Sequence, residues 1–239
     1  MELRAQRLCK AYGDQAVLRE VSLSVKGGEV LAVLGRSGCG KTTLLKLLSG
    51  LLAPDSGAVL VEGQPVSGPD ADRLMVFQGL DQLFPWLTLT QNILYALKRT
   101  RPELARGAAR ARAARCLHEM GLGDAGDKYP SRLSGGMKQR GALARAMAIA
   151  PKALLLDEPF SSLDVHSRAQ ARDALRALLR TSGAAAVFVT HDIEEALGLA
   201  PRVALMTPER RGIERLYECG EPGLKRVLAE RISLSRDIP

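Results

Sequence analysis

Gly35-Arg36-Ser37-Gly38-Cys39-Gly40-Lys41-Thr42 is the stretch that decides the fold of this chain, and it fits the G-x-x-x-x-G-K-[ST] phosphate-loop pattern without a mismatch. A continuous apolar run at residues 30–34 precedes it and has the length of a buried strand. Residues 43–48 follow it with the apolar density of a helix packed on a sheet. Because a strand, a glycine loop and a helix form the context in which this pattern holds phosphates, we expect a nucleoside triphosphate site here.

Within this loop each residue type has a chemical task. The glycines let backbone N–H groups turn inward around a phosphate, and the helix N-terminus adds its partial positive charge. Lys41 is expected to reach the terminal phosphates and the Thr42 hydroxyl to ligate Mg²⁺, with Thr43 completing the predicted ATP-binding set. The alternative is a glycine-rich turn that happens to precede a helix.

Cys39 stands in this loop, near a helix N-terminus and Lys41, and both features lower the pKa of a thiol. We therefore expect Cys39 to react with an alkylating reagent faster than Cys116 does. The alternative is that the loop backbone shields the sulfur. The four cysteines lie far apart and form no C-x-x-C pair, which argues against a zinc site or a disulfide framework and indicates a reducing compartment.

The composition suits a globular protein with an anionic partner. The chain has 239 residues, a hydrophobic fraction of 46% and a net charge of +8, which fits nucleotide, nucleic acid or lipid head groups without choosing among them. The basic residues between 98 and 115 are interpreted as a solvated helix face. The first residues have no signal-peptide core, and no window has the length of apolar sequence that a membrane span needs.

The alternation of apolar runs and helical stretches predicts an α/β fold with a mostly parallel, covered sheet. Residues 3–10 read as an edge strand and residues 17–25 as a second strand. Further strands are expected at 58–62, 73–78, 153–156, 184–189 and 203–206, with a helix at 167–180. Residues 87–150 are rich in alanine, arginine and leucine and read as a helical insert. We therefore expect one domain, with a nucleotide-binding core of residues 1–86 and 151–239 and a helical subdomain of residues 87–150.

Two acidic residues, Asp157 and Glu158, follow the buried run 154–156 directly. In a parallel sheet, ligands bind outside the carboxyl ends of the strands, so these acids are expected beside the phosphate loop. Successive strand residues point opposite ways, which predicts different tasks for the two acids. Asp157 suits the Mg²⁺ shell, and Glu158 suits orienting or deprotonating a water. In isolation, such a pair is also common in a solvated turn.

A second glycine-rich stretch, Leu133-Ser134-Gly135-Gly136-Met137-Lys138-Gln139-Arg140, opens a long helical pattern. Ser134 is a good N-cap, and the two glycines free the backbone. The stretch therefore predicts a second anion site at a helix N-terminus. Taken alone, the string fits a well-capped helix equally.

These three motifs, in this order and spacing, resemble the ATPase subunit of an ATP-binding-cassette (ABC) transporter over nearly the whole chain. The resemblance implies a P-loop NTPase core of the ABC type with an antiparallel β edge and an inserted helical subdomain. It also implies that Tyr12 stacks on adenine, Gln78 senses the Mg²⁺ site and the membrane partner, and His191 contacts the γ-phosphate. Asp164 matches the loop Ser162-Leu163-Asp164 that follows the acidic pair.

The same resemblance implies a head-to-tail pair of cassettes, either a homodimer or two paired chains. Each ATP would lie between one phosphate loop and the opposite signature stretch, whose contributing residues are Ser134, Gly135, Gly136 and Gln139. The implied catalytic set is Glu158, His191, Gln78 and Lys41. The implied Mg²⁺ set is Thr42, Gln78 and, through water, Asp157.

Three shorter stretches resemble the nitrate/sulfonate/taurine group of bacterial importers: Phe84-Pro85-Trp86-Leu87-Thr88, Lys128-Tyr129-Pro130 and residues 190–196. Gly141, Pro201 and the run Asp81-Gln82 depart from the usual pattern. The resemblance implies an ATP-hydrolysing subunit held by a permease at the cytoplasmic face of the inner membrane, and coupled indirectly to a periplasmic solute-binding protein. The apolar stretch 83–87 is expected to dock the permease, unless Trp86 only fills an internal junction.

Two other functions remain open from the residues. An exporter or lipid-transport cassette shares every ATPase motif. A soluble ABC ATPase acting on nucleic acid or ribosomes fits the positive charge, but the chain has no heptads and no cysteine pairs of the kind such proteins insert. We therefore expect an importer and no nucleic-acid partner.

Overall fold

The computed structural model describes residues 1–79, 82–161 and 163–234, so Asp81 and Ser162 lie outside the described residues. In chain order, the strands β1 to β10 are Glu2–Tyr12, Gln15–Lys26, Val30–Gly35, Ser56–Val61, Gln64–Pro65, Arg73–Val76, Ala153–Asp157, Ala185–Thr190, Arg202–Thr207 and Gly212–Glu218. The helices α1 to α7 are Lys41–Ser49, Leu89–Thr100, Arg106–Glu119, Gly135–Ile149, Val165–Ser182, Ile193–Leu199 and Leu224–Leu234. Short 3-10 turns occupy Gly123–Ala125 and Pro130–Arg132.

The larger sheet has six strands in the order β10-β9-β3-β8-β7-β6. Strand β3 runs parallel to β8 and β9, and β7 runs parallel to β8. Every residue of β3, β7 and β8 is buried, because their sequences are apolar on both faces as a covered parallel sheet requires. The carboxyl ends of β3, β7 and β8 therefore lie at one edge of the sheet, where the predicted site residues follow them.

The smaller sheet is antiparallel, with four strands in the order β2-β1-β4-β5. Its apolar residues, such as Leu8 and Leu18, share one buried cluster with Leu44 of α1 and Val187 of β8. Burying such side chains contributes about 1.5–3 kcal/mol each to the free energy of unfolding. This shared core holds α1 and the phosphate loop against the sheet.

The chain divides into two compact units. The first comprises Met1–Met75, Lys152–Glu158 and Gly183–Pro239, and it contains the two sheets up to Met75 of β6. The second comprises Val76–Pro151 and Pro159–Ser182, where α2 to α5 lie. The second unit extends beyond the helical segment expected at 87–150, since residues 76–86 and 159–182 group with it.

The α/β prediction with an antiparallel edge and a helical insert is confirmed. The predicted strands appear at their expected places, whereas β5, β10 and α7 were not predicted. Strand β10 lies at the edge of the sheet and carries three charged residues among its seven, with Tyr217 buried and Leu216 exposed. Among the helices of the described ranges, none combines the length and hydropathy needed to cross a bilayer.

Candidate functional site

The phosphate loop joins the end of β3 to the start of α1, and its glycines have steric reasons. A Cβ at Gly35 would lie 2.4 Å from the Met206 carbonyl oxygen of the neighbouring strand β9, which no side chain tolerates. Gly40, directly before α1, has a φ of 99°, in the left-handed region that favours glycine. The loop residues Arg36, Ser37, Gly38 and Thr43 are partly or fully exposed around it.

Lys41 lies inside this loop with only 5% of its surface exposed. Its ammonium donates hydrogen bonds to the carbonyl oxygens of Gly35 and Arg36, both at 2.8 Å. A lysine is rarely buried unless an anion or hydrogen bonds compensate for the lost water. The loop therefore holds a cation at its centre, which suits it to bind phosphate.

Thr42 and Asp157 meet across the edge of the sheet, where the Thr42 hydroxyl donates to Asp157 Oδ1 at 3.1 Å. Burial raises the pKa of Asp157, while the Thr42 hydrogen bond lowers it and the Glu158 charge raises it further. No group of three His, Cys, Asp or Glu side chains suited to a metal occurs among the described residues. A hydroxyl with one carboxylate fits Mg²⁺, which takes few protein ligands and completes its shell with phosphates and water.

Glu158 follows Asp157 with its backbone in the left-handed region, at a φ of 44°. This conformation costs a non-glycine residue about 1 kcal/mol and occurs often at functional sites. The backbone N–H of Glu158 donates to the Val189 carbonyl of β8 at 3.1 Å. Its side chain is 12% exposed, and Oε1 lies 3.2 Å from Nδ1 of His191. The structure thus brings together the acid and the histidine that the sequence placed on different strands.

The turn carrying His191 is held by a network of side chains. The Thr190 hydroxyl donates to Glu195 at 2.7 Å and accepts from the Asp192 N–H at 3.0 Å. The Asp192 carboxylate caps α6 by accepting from the N–H groups of Glu194 and Glu195. The His191 side chain is 58% exposed, so the part of the ring that does not contact Glu158 faces solvent.

Tyr12 ends β1 and is 51% exposed, as an aromatic platform for a base requires. The neighbouring backbone is fixed by Asp55, whose carboxylate accepts from the Ala11 N–H at 2.7 Å and from the Lys10 ammonium at 2.5 Å. A cavity of about 580 Å³ adjoins the phosphate loop, and its lining includes Val17 and residues 36–39.

The expected lowering of the Cys39 thiol pKa is wrong, whereas the reactivity of this thiol stays a prediction. Its side chain is only 3% exposed, close to the 4% of Cys116, and burial raises the pKa of both thiols. Lys41 does lower the pKa of Cys39, as the sequence argument assumed, but loss of water around the sulfur outweighs that charge. The shielding alternative describes this cysteine.

The remaining predicted residues lie in the second unit. Ser134 is exposed and caps α4, with its hydroxyl accepting from the Met137 N–H at 3.3 Å, and Gly135 and Gly136 form the first turn. Gln139 is 1% exposed and donates to the Pro159 carbonyl at 3.2 Å. Asp164 precedes α5. Its carboxylate accepts a hydrogen bond from the Ser167 N–H at 3.0 Å, and this bond lowers the pKa of Asp164. Gln78 follows β6.

An exposed aromatic patch lies near the start of α2 and consists of Trp86 and Tyr95, which are exposed, and Phe84, which is half-buried and contacts both rings. The Phe84 ring centroid is 5.5 Å from that of Trp86 and 5.1 Å from that of Tyr95. Trp86 is 69% exposed, which excludes the alternative that it fills an internal junction. The Arg99 guanidinium stands 6.0 Å from the Tyr95 ring, at the limit of a cation–π contact.

Sequence reasoning missed two amide side chains that brace the second unit. Asn92, fully buried, accepts from the Phe84 N–H at 2.7 Å and donates to the carbonyls of Phe84, Leu87 and Thr88. An asparagine one residue before Ile93, on the apolar side of α2, was a signal that this side chain is used internally. The other is Gln82, which belonged to the run recognised only as unusual.

Comparison with known proteins agrees with the geometry. Residues 18–161 match the ABC transporter family. The chain is 45% identical to the nitrate import ATP-binding protein NrtC of Synechococcus elongatus, over 82% of this chain but only 29% of NrtC. It is 44% identical to NrtD of the same organism, with 71% of NrtD covered. It is 45% identical to the taurine import ATP-binding protein TauB of Mesorhizobium japonicum, with 89% of this chain and 80% of TauB covered.

Among solved structures, the dimeric bacterial ABC transporter cassette MJ0796 superposes with a TM-score of 0.82 at 30% identity. The match covers 91% of this chain and 98% of that cassette. A second structure of MJ0796, in a post-hydrolysis state with ADP and phosphate, matches equally well. The motifs, the fold and these likenesses agree, and the chain belongs to the ABC transporter family as one of its ATP-binding cassettes.

Proposed function

We propose that the chain is the ATP-hydrolysing, energy-coupling subunit of an importer for a small anionic solute. The observation that carries this proposal is the meeting of three strand ends at one edge of the sheet. There the buried Lys41, the Thr42–Asp157 pair and the Glu158–His191 pair lie together in the first unit. These are the groups needed to hold a triphosphate and activate a water.

Each group has a distinct task in ATP hydrolysis. The loop N–H groups and Lys41 bind the β- and γ-phosphates, and Thr42 with Asp157 would hold Mg²⁺, which neutralises charge on the phosphate oxygens when bound. Glu158 accepts a hydrogen bond from the attacking water and takes its proton. His191 orients the Glu158 carboxylate and reaches the γ-phosphate from its exposed edge. Tyr12 stacks on the adenine.

The whole chain acts as one ABC ATPase domain in a pair of cassettes, with residues 87–150 as its signature subdomain. Ser134, Gly135 and Gly136 contact the ATP of the opposite cassette. Gln139, expected in the same set, is instead buried and donates to the Pro159 carbonyl, so it braces α4 and does not contact that ATP. Asp164 lies in the loop between the two copies, and Gln78 joins the Mg²⁺ site. These assignments follow from the family resemblance, and the dimeric MJ0796 cassette supports the pairing.

The partner that couples hydrolysis to transport is a membrane permease, which holds the chain at the cytoplasmic face of the inner membrane and receives solute from a binding protein. The exposed aromatic patch supports this role, because a monomer rarely leaves such a cluster uncovered. The names of the relatives, which specify nitrate import, bicarbonate transport and taurine import, support a small anion as the solute. They also favour import over export.

The enzymatic part is tested by phosphate release from purified protein with ATP and Mg²⁺. We expect Mg²⁺-dependent hydrolysis by the wild type. Lys41→Ala should lose hydrolysis and bind nucleotide more weakly, because the central cation is gone. Near-normal turnover by Lys41→Ala would contradict the assignment of the phosphate loop.

The coupling part is tested by making Phe84 and Leu87 polar. The double variant should keep ATP hydrolysis but lose co-purification with the permease and growth on a solute of the nitrate, sulfonate or taurine class. Full transport by a folded, active variant would show that the permease docks elsewhere.

A further inference from the structure

Gln82 makes a set of hydrogen bonds that a surface glutamine ordinarily does not make. Its Oε1 accepts from the Phe77 N–H at 2.9 Å, while its Nε2 donates to the Phe77 carbonyl at 2.6 Å and to the Gly79 carbonyl at 2.7 Å. The side-chain amide thus pairs with both polar groups of Phe77, as a neighbouring strand would pair with them. The residue between these partners is Gln78.

The same residue is tied to the signature helix α4. The Arg145 guanidinium donates to the Gln82 carbonyl at 2.8 Å. The Gln82 amide also approaches Gln139 Oε1 at 3.5 Å, which is at the long limit of a hydrogen bond and contributes less. The firm link between Gln82 and α4 is therefore Arg145.

The chain of contacts continues from α4 to the segment that follows the acidic pair. Gln139, 1% exposed, donates to the carbonyl of Pro159, the residue after Glu158 in the sequence. Gln82, Arg145, Gln139 and Pro159 all belong to the second unit. The loop that carries Gln78 is thereby braced against the helix that carries the signature stretch.

We propose that Gln82 is a positioning residue that holds the Gln78 loop in register with the signature helix, so that Gln78 is presented in one orientation. The inference rests on the proposed function, since it assigns Gln82 a task in the ATPase cycle. Without the Gln82 hydrogen bonds, the backbone at Phe77 and Gly79 is no longer held in one conformation. The effective position of Gln78 then varies, and a misplacement of about 1 Å costs up to about a hundredfold in rate.

Only an amide satisfies this arrangement. A carboxylate at the same place accepts from the Phe77 N–H but faces the carbonyl oxygens of Phe77 and Gly79 without a proton to donate. A leucine fills a similar volume and offers neither donor nor acceptor. Gln82→Glu therefore removes the two N–H donors, and Gln82→Leu removes all of the side-chain hydrogen bonds. Neither substitution changes the size of the side chain much.

Gln91 supplies a matched control in the same unit. Its side chain also pairs with local backbone, accepting from the Thr88 N–H at 2.9 Å in the capping box of α2. Gln91→Leu thus removes a backbone-bonding glutamine that is not tied to the Gln78 loop. We expect Gln91→Leu to lower the free energy of unfolding without changing the kinetics, because the capping box is a structural feature of the helix.

The test compares wild type, Gln82→Leu, Gln82→Glu and Gln91→Leu in two measurements. Hydrogen exchange without nucleotide reports whether the Phe77 amide loses protection. ATP titrations at varied Mg²⁺ report kcat and the apparent affinity for Mg²⁺. We expect faster exchange of the Phe77 amide in Gln82→Leu. In both Gln82 variants we expect kcat to be lower by about tenfold to a hundredfold and the Mg²⁺ requirement to be higher. Gln91→Leu should match wild type in all three.

The outcomes separate this inference from the proposed function. If wild type hydrolyses ATP and the Gln82 variants have wild-type kcat and Mg²⁺ dependence, the positioning role is overturned while the ATPase proposal stands. Unchanged exchange at Phe77 in Gln82→Leu also overturns it. If wild type hydrolyses no ATP, the proposed function fails first and the inference falls with it. Equal kinetic losses in Gln91→Leu would reduce Gln82 to a structural residue and overturn the proposal.

Discussion

Asp157 is a buried carboxylate, and the proposed function gives it a task in holding Mg²⁺. Its carboxylate is buried beside Thr42, and burial raises its pKa because the charged form has lost water. We predict that Asp157→Asn leaves the melting temperature of the nucleotide-free protein unchanged or higher. The variant should lose the stabilisation by ATP with Mg²⁺, which is about 2.7 kcal/mol at a ligand concentration one hundred times Kd. Calorimetry with and without ATP and Mg²⁺ measures this stabilisation. If the wild type and the variant are stabilised equally, Asp157 is excluded from the Mg²⁺ site.

The cysteines differ in access to solvent. Cys39 and Cys116 are buried, whereas Cys9 and Cys219 are partly exposed. Burial raises the thiol pKa of Cys39, Cys116 and Cys219 alike, so exposure is what distinguishes Cys219 from the first two. In a mass-spectrometric time course with iodoacetamide, we predict that Cys9 and Cys219 are alkylated first. Cys39 should follow only as slowly as Cys116, because the thiolate is the reactive form and is disfavoured in both. Faster labelling of Cys39 than of Cys219 would show that its loop opens in solution.

Among the elements, α4 contains a glycine whose presence has a packing reason. A Cβ at Gly141 would lie 2.7 Å from Cδ1 of Leu89, which is fully buried in α2. Replacement by alanine gains about 1 kcal/mol of helix propensity but overpacks the core at a cost of about 1–3 kcal/mol. The overpacking wins, and Gly141→Ala should lower the free energy of unfolding by up to about 2 kcal/mol.

Gly107 in α3 is the control for that prediction. A Cβ there meets nothing within 4 Å, so Gly107→Ala should raise stability by up to about 1 kcal/mol through propensity alone. Urea denaturation of both variants measures the difference. A stabilised Gly141→Ala would show that Leu89 moves aside without cost.

The end of β1 is held by an exposed carboxylate with a pH dependence. The Lys10 ammonium, followed by the Ala11 N–H, lowers the pKa of Asp55 below its ordinary value. A lowered folded pKa contributes stability above the unfolded pKa of about 3.9, and that stability is lost as the pH falls through the folded pKa. Asp55→Asn should therefore lower the urea midpoint at pH 7, with a difference that shrinks in acid and in high salt. A difference independent of pH would contradict this.

The elements that could be predicted are those whose signal is local. Residues 30–34 are continuously apolar, and the phosphate loop and the acidic pair follow their strands directly, so parallel strand order alone brings them together. The Glu158–His191 contact also follows from adjacent strand ends. Shielding of Cys39 was only the alternative, because the local rule for thiols at a helix N-terminus ignores how the folded core buries the sulfur.

The hydrogen bonds that side chains make to loop backbones could not be predicted from the sequence either, because they too depend on the folded structure and not on local pattern. Gln82 and Asn92 bond backbone groups of particular loops, and which groups a glutamine or asparagine reaches depends on the folded path of the chain. Pattern and propensity carry no such information. The positive φ of Glu158 is likewise imposed by its surroundings and not by its side chain.

In the proposed pairing of cassettes, one complete ATP site needs two copies of the chain. The chain provides a phosphate loop before α1 and a capped, glycine-rich start to α4, and each offers free N–H groups for phosphate. In the proposed pairing, the second of these contacts the nucleotide of the other copy. ATP then acts as the link between the copies, and a variant that binds but does not hydrolyse ATP should keep them together.

The most direct test is the mass of Glu158→Gln in solution, measured by light scattering during size exclusion with and without ATP and Mg²⁺. The amide retains ATP binding but cannot take the proton of the water, so ATP persists. We predict a mass of 25.7 kDa without nucleotide and about twice that value with ATP. Adding Ser134→Arg should return the mass to that of one chain. A single-chain mass for Glu158→Gln while ATP is demonstrably bound would contradict the account.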